Sequence, residues 1–198
     1  IVELYRYVRV GTRVTVLAGG GRRAPWPDRD GDAIPDQVDV LRGAQKAAYN
    51  NARYHGAYVR LRYPGGDVPQ KTGVCTDVII RAFRNAGIDL QRAMHLHIRA
   101  NRRRYPWIKR PDRNIDHRRV RNMLPYFRAH YRLVNRKVTL PRRHTLLPGD
   151  IVFMDTLPKA GPDHIGIIAD TAGKNGWPQV INNWTVGYRT QAMDLLPG

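Results

Sequence analysis

The hydrophobic pattern of the chain changes period about two thirds of the way along, and the change limits the folds open to it. Val38, Leu41, Ala44 and Ala48 recur at helical spacing and predict a helix from Val38 to about Tyr58. Val78, Ile79, Ala82, Phe83 and Ala86 predict a second helix over Val74 to Ala86, with Gly87 suited to its C-terminal cap. Asn122 to Tyr131 reads as a further short helix. Beyond the turn at Leu147-Pro148-Gly149 the apolar runs shorten to strand length: Asp150 to Met154, His164 to Ala169, and Gln179 to Trp184. Helices first and strands afterwards predict an α+β fold.

The 198 residues suffice for one sizeable core and hardly for two. Residues 1–20 alternate Val, Leu and Tyr with Arg and Thr, as in Arg13-Val14-Thr15-Val16-Leu17, and predict a strand or two ending at Gly19-Gly20-Gly21. Residues 1–27 are therefore read as a strand-like N-terminal extension, and 28–198 as the main domain. No apolar run approaches the ~18 residues that would span a membrane. Arg6, Arg9 and Arg13 interrupt the start, so no intact signal peptide is visible and a mature or excised domain is expected.

Lys and Arg number 34 against 16 Asp and Glu, a net +18 that favours polyanionic surroundings: nucleic acid, anionic lipid or an anionic cell wall. Arg is densest over residues 99–121, which Pro106 and Pro111 break into an exposed, partly irregular segment. A single cysteine excludes an intrachain disulfide and any Cys-rich zinc site.

That cysteine, Cys75, opens the second predicted helix after a Gly-containing loop. Free backbone N–H groups and the helix dipole stabilise a thiolate there. Asp77 in the same turn opposes this electrostatically and is assigned to capping or packing. A base must come from elsewhere, and seven histidines compete. His164 opens an apolar strand after a polar loop, where a helix N-terminus can meet it. Asn182, at the end of the next apolar run, can bond the imidazole and fix its tautomer, with Asn183 one register away. His117 is the rival base, and His95 with His97 could form half a metal site.

In order, Tyr63-Pro64-Gly65-Gly66, Thr72-Gly73-Val74-Cys75-Thr76-Asp77, Leu147-Pro148-Gly149-Asp150-Ile151-Val152, His164-Ile165-Gly166-Ile167 and Ile181-Asn182 resemble the blocks of NlpC-like peptidoglycan peptidases of the papain superfamily. The Gly73–Val78 and Asn114-Ile115-Asp116-His117-Arg118-Arg119-Val120 blocks are most similar to a bacterial group of poorly assigned function on that fold. The resemblance spans about residues 28–185. It implies a papain-like fold, with the cysteine at a helix N-terminus packed on an antiparallel sheet that carries the histidine. It also implies Cys75 as nucleophile, His164 as base, Asn182 as orienting residue and Tyr63 near the scissile carbonyl, with no metal in catalysis. His117 and Arg118 are expected to bind substrate, the arginine through carboxylates. The implied activity is cleavage of an amide or peptide bond in peptidoglycan by an extracytoplasmic enzyme, either a housekeeping one or a secreted antibacterial effector with a cognate immunity protein. The chain departs from most such enzymes in having Val74-Cys75-Thr76 where Asp-Cys-Ser is usual, and its third residue is Asn where His is frequent.

A separate pattern lies at residues 28–39. Asp28, Asp30, Asp32, Asp36 and Asp39 stand at positions one, three, five, nine and twelve of an EF-hand-like loop, with Ile34 offering its carbonyl at position seven. Ala33 replaces the usual Gly at position six and Asp39 the usual Glu at twelve, so the loop is closer to those of dockerins and thrombospondin type 3 repeats. A structural calcium ion is expected; the same residues also suit a polar turn capping the next helix. Two other function classes stay open. One is a nucleic-acid-binding module, motivated by Tyr105 and Trp107 among arginines but lacking any known motif, so that nucleic acid is not the expected partner. The other is a calcium-dependent wall-binding module without activity.

Overall fold

A computed structural model describes residues 2–9, 27–135, 146–158, 161–174 and 176–196. The expected strand at Arg13–Leu17 lies outside them. In chain order the elements are β1 (Val2–Arg9), α1 (Asp36–Asn50), β2 (Arg53–Tyr54), β3 (Thr72–Gly73), α2 (Cys75–Asn85), α3 (Leu90–Ala100), α4 (Val120–His130), β4 (Tyr131–Asn135), β5 (Ile151–Met154), β6 (His164–Ala172), β7 (Pro178–Asn182) and β8 (Gln191–Met193). Single 3-10 turns occupy Arg102–Arg104 and Asp116–Arg118. The fold is α+β: β4-β1-β5-β6-β7-β8 form one wholly antiparallel sheet, and β2 and β3 a short parallel pair. The N-terminal segment is thus joined to the sheet, since β1 lies between β4 and β5 and carries the ladder across the boundary expected near residue 27.

Strand alternation explains where the core sits. Ile151, Phe153, Ile165, Ile167 and Ile181 pack with α1, α2 and α4 on one face, while Val152, Met154, Ile168 and Val180 pack with Trp177, Leu146 and Leu196 in a separate cluster. Fully buried Phe83 of α2 meets Phe127 and Tyr131 edge-on, with ring centroids 5.5 and 5.8 Å apart, and Phe127 meets Phe153 at 5.6 Å. This aromatic chain ties α2 through α4 to the sheet; burying one such ring contributes about 1.5–3 kcal/mol.

α1 ends earlier than its periodicity predicts, because Asn51 takes the left-handed conformation (φ 54°) and turns the chain into β2. Helix α3 is not expected from the sequence reading. Its signal is Leu90, Met94 and Ile98 at four-residue spacing, all fully buried, after Asp89, whose carboxylate accepts the Arg92 amide at 3.1 Å. Among the described residues no helix is long and apolar enough to cross a membrane.

α1 and α2 pack closely at Gly43, where an added Cβ would come within 2.7 Å of the Ala82 Cα and 2.8 Å of its carbonyl oxygen. In an exposed helix interior, Gly→Ala stabilises by about 1 kcal/mol. Here we expect the opposite sign: Gly43→Ala should lower stability by about 1–3 kcal/mol through overpacking, measured as a fall in the urea midpoint.

Candidate active site

Cys75 is the first residue of α2 and is buried against the sheet. The preceding Val74 is extended, and its amide donates to the Asp77 carboxylate at 2.8 Å, so Asp77 caps the helix as expected. Burial pushes the Cys75 thiol up to about 12, against the backbone amides of Ile165, Thr76 and Cys75 itself, which favour the thiolate. The Ile165 amide carries a further meaning, because its neighbour in the chain is His164. The cysteine at the helix start therefore lies beside the backbone that follows the histidine at the strand start.

His164 is also buried, and its Nε2 lies 3.1 Å from Asn182 Oδ1. The tautomer follows from the next bond along. Asn182 Nδ2 donates to the Val180 carbonyl at 3.1 Å, which directs Oδ1 as an acceptor at the ring. Nε2 must then carry the proton, leaving Nδ1 as the basic nitrogen. Burial lowers the His164 pKa, and the Asn182 bond only partly opposes this. Trp184 tilts against the ring with centroids 4.5 Å apart.

Gly166 makes this arrangement possible. A Cβ there would lie 2.3 Å from Val180 Cγ1 and 3.4 Å from Asn182 Cβ, so the bare position lets the two strands bring Asn182 beside the histidine. Asn183, the other candidate for the third residue, has a different task. Its amide donates to Ala52 O at 3.1 Å, Thr190 Oγ1 at 3.1 Å and Gly73 O at 3.4 Å, pinning the loop just ahead of Cys75.

Arg118 is not placed to bind substrate. Its Nε and Nη2 grip both oxygens of Asp77 at 2.8 and 2.9 Å, and both side chains are 2% exposed. A guanidinium consumed by a buried bidentate pair has no fork left for a ligand carboxylate. His117 is equally enclosed, and burial, reinforced by the charge of Arg118, pushes it down to about 4. The residue of this block that reaches solvent is Arg119.

Tyr63 packs edge-on against His95 with centroids 5.4 Å apart, under the Arg113 guanidinium. The tyrosine within electrostatic reach of Cys75 is Tyr54. Burial raises its pKa, Cys75 raises it further, and Arg119 lowers it. Sequence reasoning took Arg119 with its block as a contact for substrate carboxylates, but passed over Tyr54, Trp184 and the pinning role of Asn183. Only the proximity of Trp184 to Asn182 in sequence offered a signal for any of them.

His95 and His97, two residues apart on α3, point about 200° away from each other, and His97 Nδ1 pairs with Tyr105 OH at 2.8 Å. They form no half-site. Beside His95, exposed Arg60, Arg110 and Arg113 line a cavity of about 660 Å³ with Tyr58 and Asp112. Separately, Asp28, Asp30 and Asp32 bring carboxylate oxygens within 4.8 Å of one another, while Asp36 Oδ1 turns to the Arg29 amide at 2.9 Å.

Removing Arg118 would strand the Asp77 charge. Arg118→Met should cost about 3–5 kcal/mol in denaturant unfolding, and Asp77→Asn/Arg118→Met should recover much of it by leaving no unpaired charge. The buried histidine adds a pH dependence. An unfolded chain protonates His117 near 6.5, but the folded protein resists until about 4. The unfolded state thus binds the extra proton in that window, and this group's contribution is a stability that falls as pH drops from about 6.5 to about 4. His117→Gln should flatten that fall in denaturant midpoints measured against pH.

No solved structure matches the chain. It is 42% identical over 162 residues to a protein of Escherichia coli (strain K12) described as "Uncharacterized protein YijF", covering 79% of this chain and 75% of that relative. Residues 41–196, which include Cys75, His164 and Asn182 but start after the acidic loop, match the family described as "Domain of unknown function (DUF1287)". The chain belongs to that family.

Proposed function

We propose that this chain is a papain-like cysteine hydrolase that cleaves an amide or peptide bond of peptidoglycan. The observation that carries the reading is a cysteine at a helix N-terminus, Cys75, beside the Ile165 amide that follows a His164 whose Nε2 is held by Asn182. The substrate class rests on the resemblance of the Tyr63, Cys75, Leu147 and His164 blocks to wall peptidases. The net charge of +18 suits an anionic wall polymer. An extracytoplasmic location follows from that substrate, and for a delivered effector so does a cognate inhibitor protein.

In this reading Cys75 Sγ attacks the amide carbonyl as its proton passes to His164 Nδ1. The S–C bond forms, and the tetrahedral oxyanion is held by backbone N–H groups at the start of α2. His164 returns the proton to the leaving amine as the C–N bond breaks. Water, deprotonated by the same nitrogen, then releases the acyl group as a carboxylate and regenerates the thiol. Burial holds both the thiol and the imidazole neutral at rest, so proton transfer accompanies attack instead of preceding it. Half-buried Tyr54 and Trp184 flank the pair, and exposed Arg119 offers a free guanidinium for a stem-peptide carboxylate.

The test is digestion of purified sacculi, with products resolved by mass spectrometry. Cys75→Ala and His164→Ala should each abolish release of peptide, and Asn182→Ala should lower kcat about 100-fold. Full product from either of the first two variants would sink the assignment. The mass of the wild-type fragments identifies the bond cut.

A further inference from the structure

The start of α1 holds a charge that the fold leaves unanswered. Asp39 is 3% exposed; its Oδ1 accepts a bond from Asn85 Nδ2 at 3.3 Å, but its Oδ2 is buried without a hydrogen-bond partner. A carboxylate oxygen in that position costs several kcal/mol unless a positive group meets it. The Arg42 guanidinium acts on it favourably but is exposed and forms no ion pair with it among the described residues. The positive end of the α1 dipole suits a negative charge here without satisfying the oxygen.

Other acidic groups face it. Asp39 lies within electrostatic reach of Asp32, Asp30 and Asp36, each of which raises its pKa after burial itself. Asp32 and Asp28 do the same to Asp30. The loop nonetheless holds these charges together: Asp28 accepts the Gly31 and Ala33 amides at 2.9 and 3.0 Å, and Asp32 accepts the Ile34 amide at 2.8 Å. Ala33, where such loops usually carry glycine, adopts the required positive φ of 69°. An all-oxygen set of four carboxylates and one carbonyl is the chemistry of a hard divalent cation with flexible, high coordination.

We propose that residues 28–39 form a calcium site in which Asp28, Asp30, Asp32 and the buried Asp39 supply carboxylates and Ile34 its carbonyl. Asp36 anchors the loop through Oδ1, which accepts the Arg29 amide, while its Oδ2, also buried without a hydrogen-bond partner, lies 3.8 Å from Arg29 Nε. The ion's role is mechanical. Asn85, near the end of α2, donates to the Asp39 carbonyl at 2.9 Å, and Gly87 approaches Asp30 so closely that a Cβ would lie 2.9 Å from its Cβ. Calcium at the loop thus clamps the start of α1 to the far end of the helix that carries Cys75, and it takes no part in bond cleavage.

The test uses the full chain, dialysed against chelator, in calorimetric titration and thermal unfolding. Calcium should bind once per chain and raise the unfolding midpoint by about 5–10 °C at a hundredfold excess over the dissociation constant. Asp30→Asn/Asp32→Asn, at exposed positions, should lose the binding heat and, without metal, melt above the metal-free wild type, because it relieves the repulsion. Asp39→Asn should weaken calcium at least tenfold. Absence of heat and of a midpoint shift at millimolar calcium would overturn the site, as would a doubly substituted loop that responds like wild type. An equal response to magnesium alone would overturn the choice of ion. Cys75→Ala should respond to calcium as wild type does, so the result stands apart from the hydrolase reading.

Discussion

The buried pair of Arg118 and Asp77 is the interaction on which the rest of the site depends. Two charges taken from water gain little net stability, but each becomes costly to separate from the other. Their bidentate contact therefore joins segments that local sequence does not. Asp77 reaches back to the Val74 amide and shapes the entry to Cys75. The Arg118 carbonyl accepts the Thr76 hydroxyl at 3.2 Å, and its Nη1 donates to the Ala57 carbonyl at 3.3 Å. The helix start, the irregular segment after Tyr54 and the Asp116–Arg118 turn are held in one arrangement. The pair also offsets a carboxylate two residues from Cys75, the proposed nucleophile, that would otherwise oppose formation of a thiolate. Arg119 is left as the exposed neighbour of a fully committed arginine.

A second constraint is the dryness of the centre. Cys75 and His164 are both about nine-tenths or more buried, and burial moves the thiol up and the imidazole down. Both shifts favour the neutral pair, while the helix amides and Asn182 favour the charged one. In the proposed hydrolase, a site balanced in this way develops charge when a carbonyl arrives to share it, with the helix amides at hand for that charge. Gly166 and Asn183 serve this geometry without touching a reacting atom. One admits Asn182 beside the ring, and the other fixes the loop ahead of the cysteine.

Much of this was legible in the sequence, and the limits have physical causes. The change of hydrophobic period located α1, α2, α4 and the strands β5, β6 and β7, because each has an apolar face against a single core. The placement of Cys75 at a helix start and of His164 and Asn182 at strand ends was readable, because strand and helix periodicity makes position informative there. Arg118 was misread because a guanidinium in a basic segment looks solvent-facing until its partner, far away in sequence, is known. Tyr54 could not be found, since it lies on a two-residue strand with no periodicity and reaches the site only through the parallel pairing of β2 with β3. The sheet's extension through β1 was equally hidden: an alternating strand shows that it has two faces but not which neighbours it will join.

In the proposed hydrolase, the distribution of charge separates capture from chemistry. Of the described basic residues, Arg118 is the one buried at the site, and Asp77 neutralises it. Arg60, Arg110 and Arg113 instead stand exposed around a cavity beside Tyr58 and His95. Exposed charges act over about a Debye length and concentrate a polyanion near the surface. They contribute little to the differential stabilisation of a transition state, which needs fixed dipoles in a dry site. The acidic loop at 28–39 is the exception to the basic surface, and it lies at the opposite end of α2 from Cys75. In the proposed hydrolase, that spacing keeps its negative charge away from an anionic substrate. The arrangement also leaves the two ends of α2 with separate tasks: the N-terminus presents amides to the Cys75 sulfur, and the C-terminus, through Asn85, holds the helix against α1.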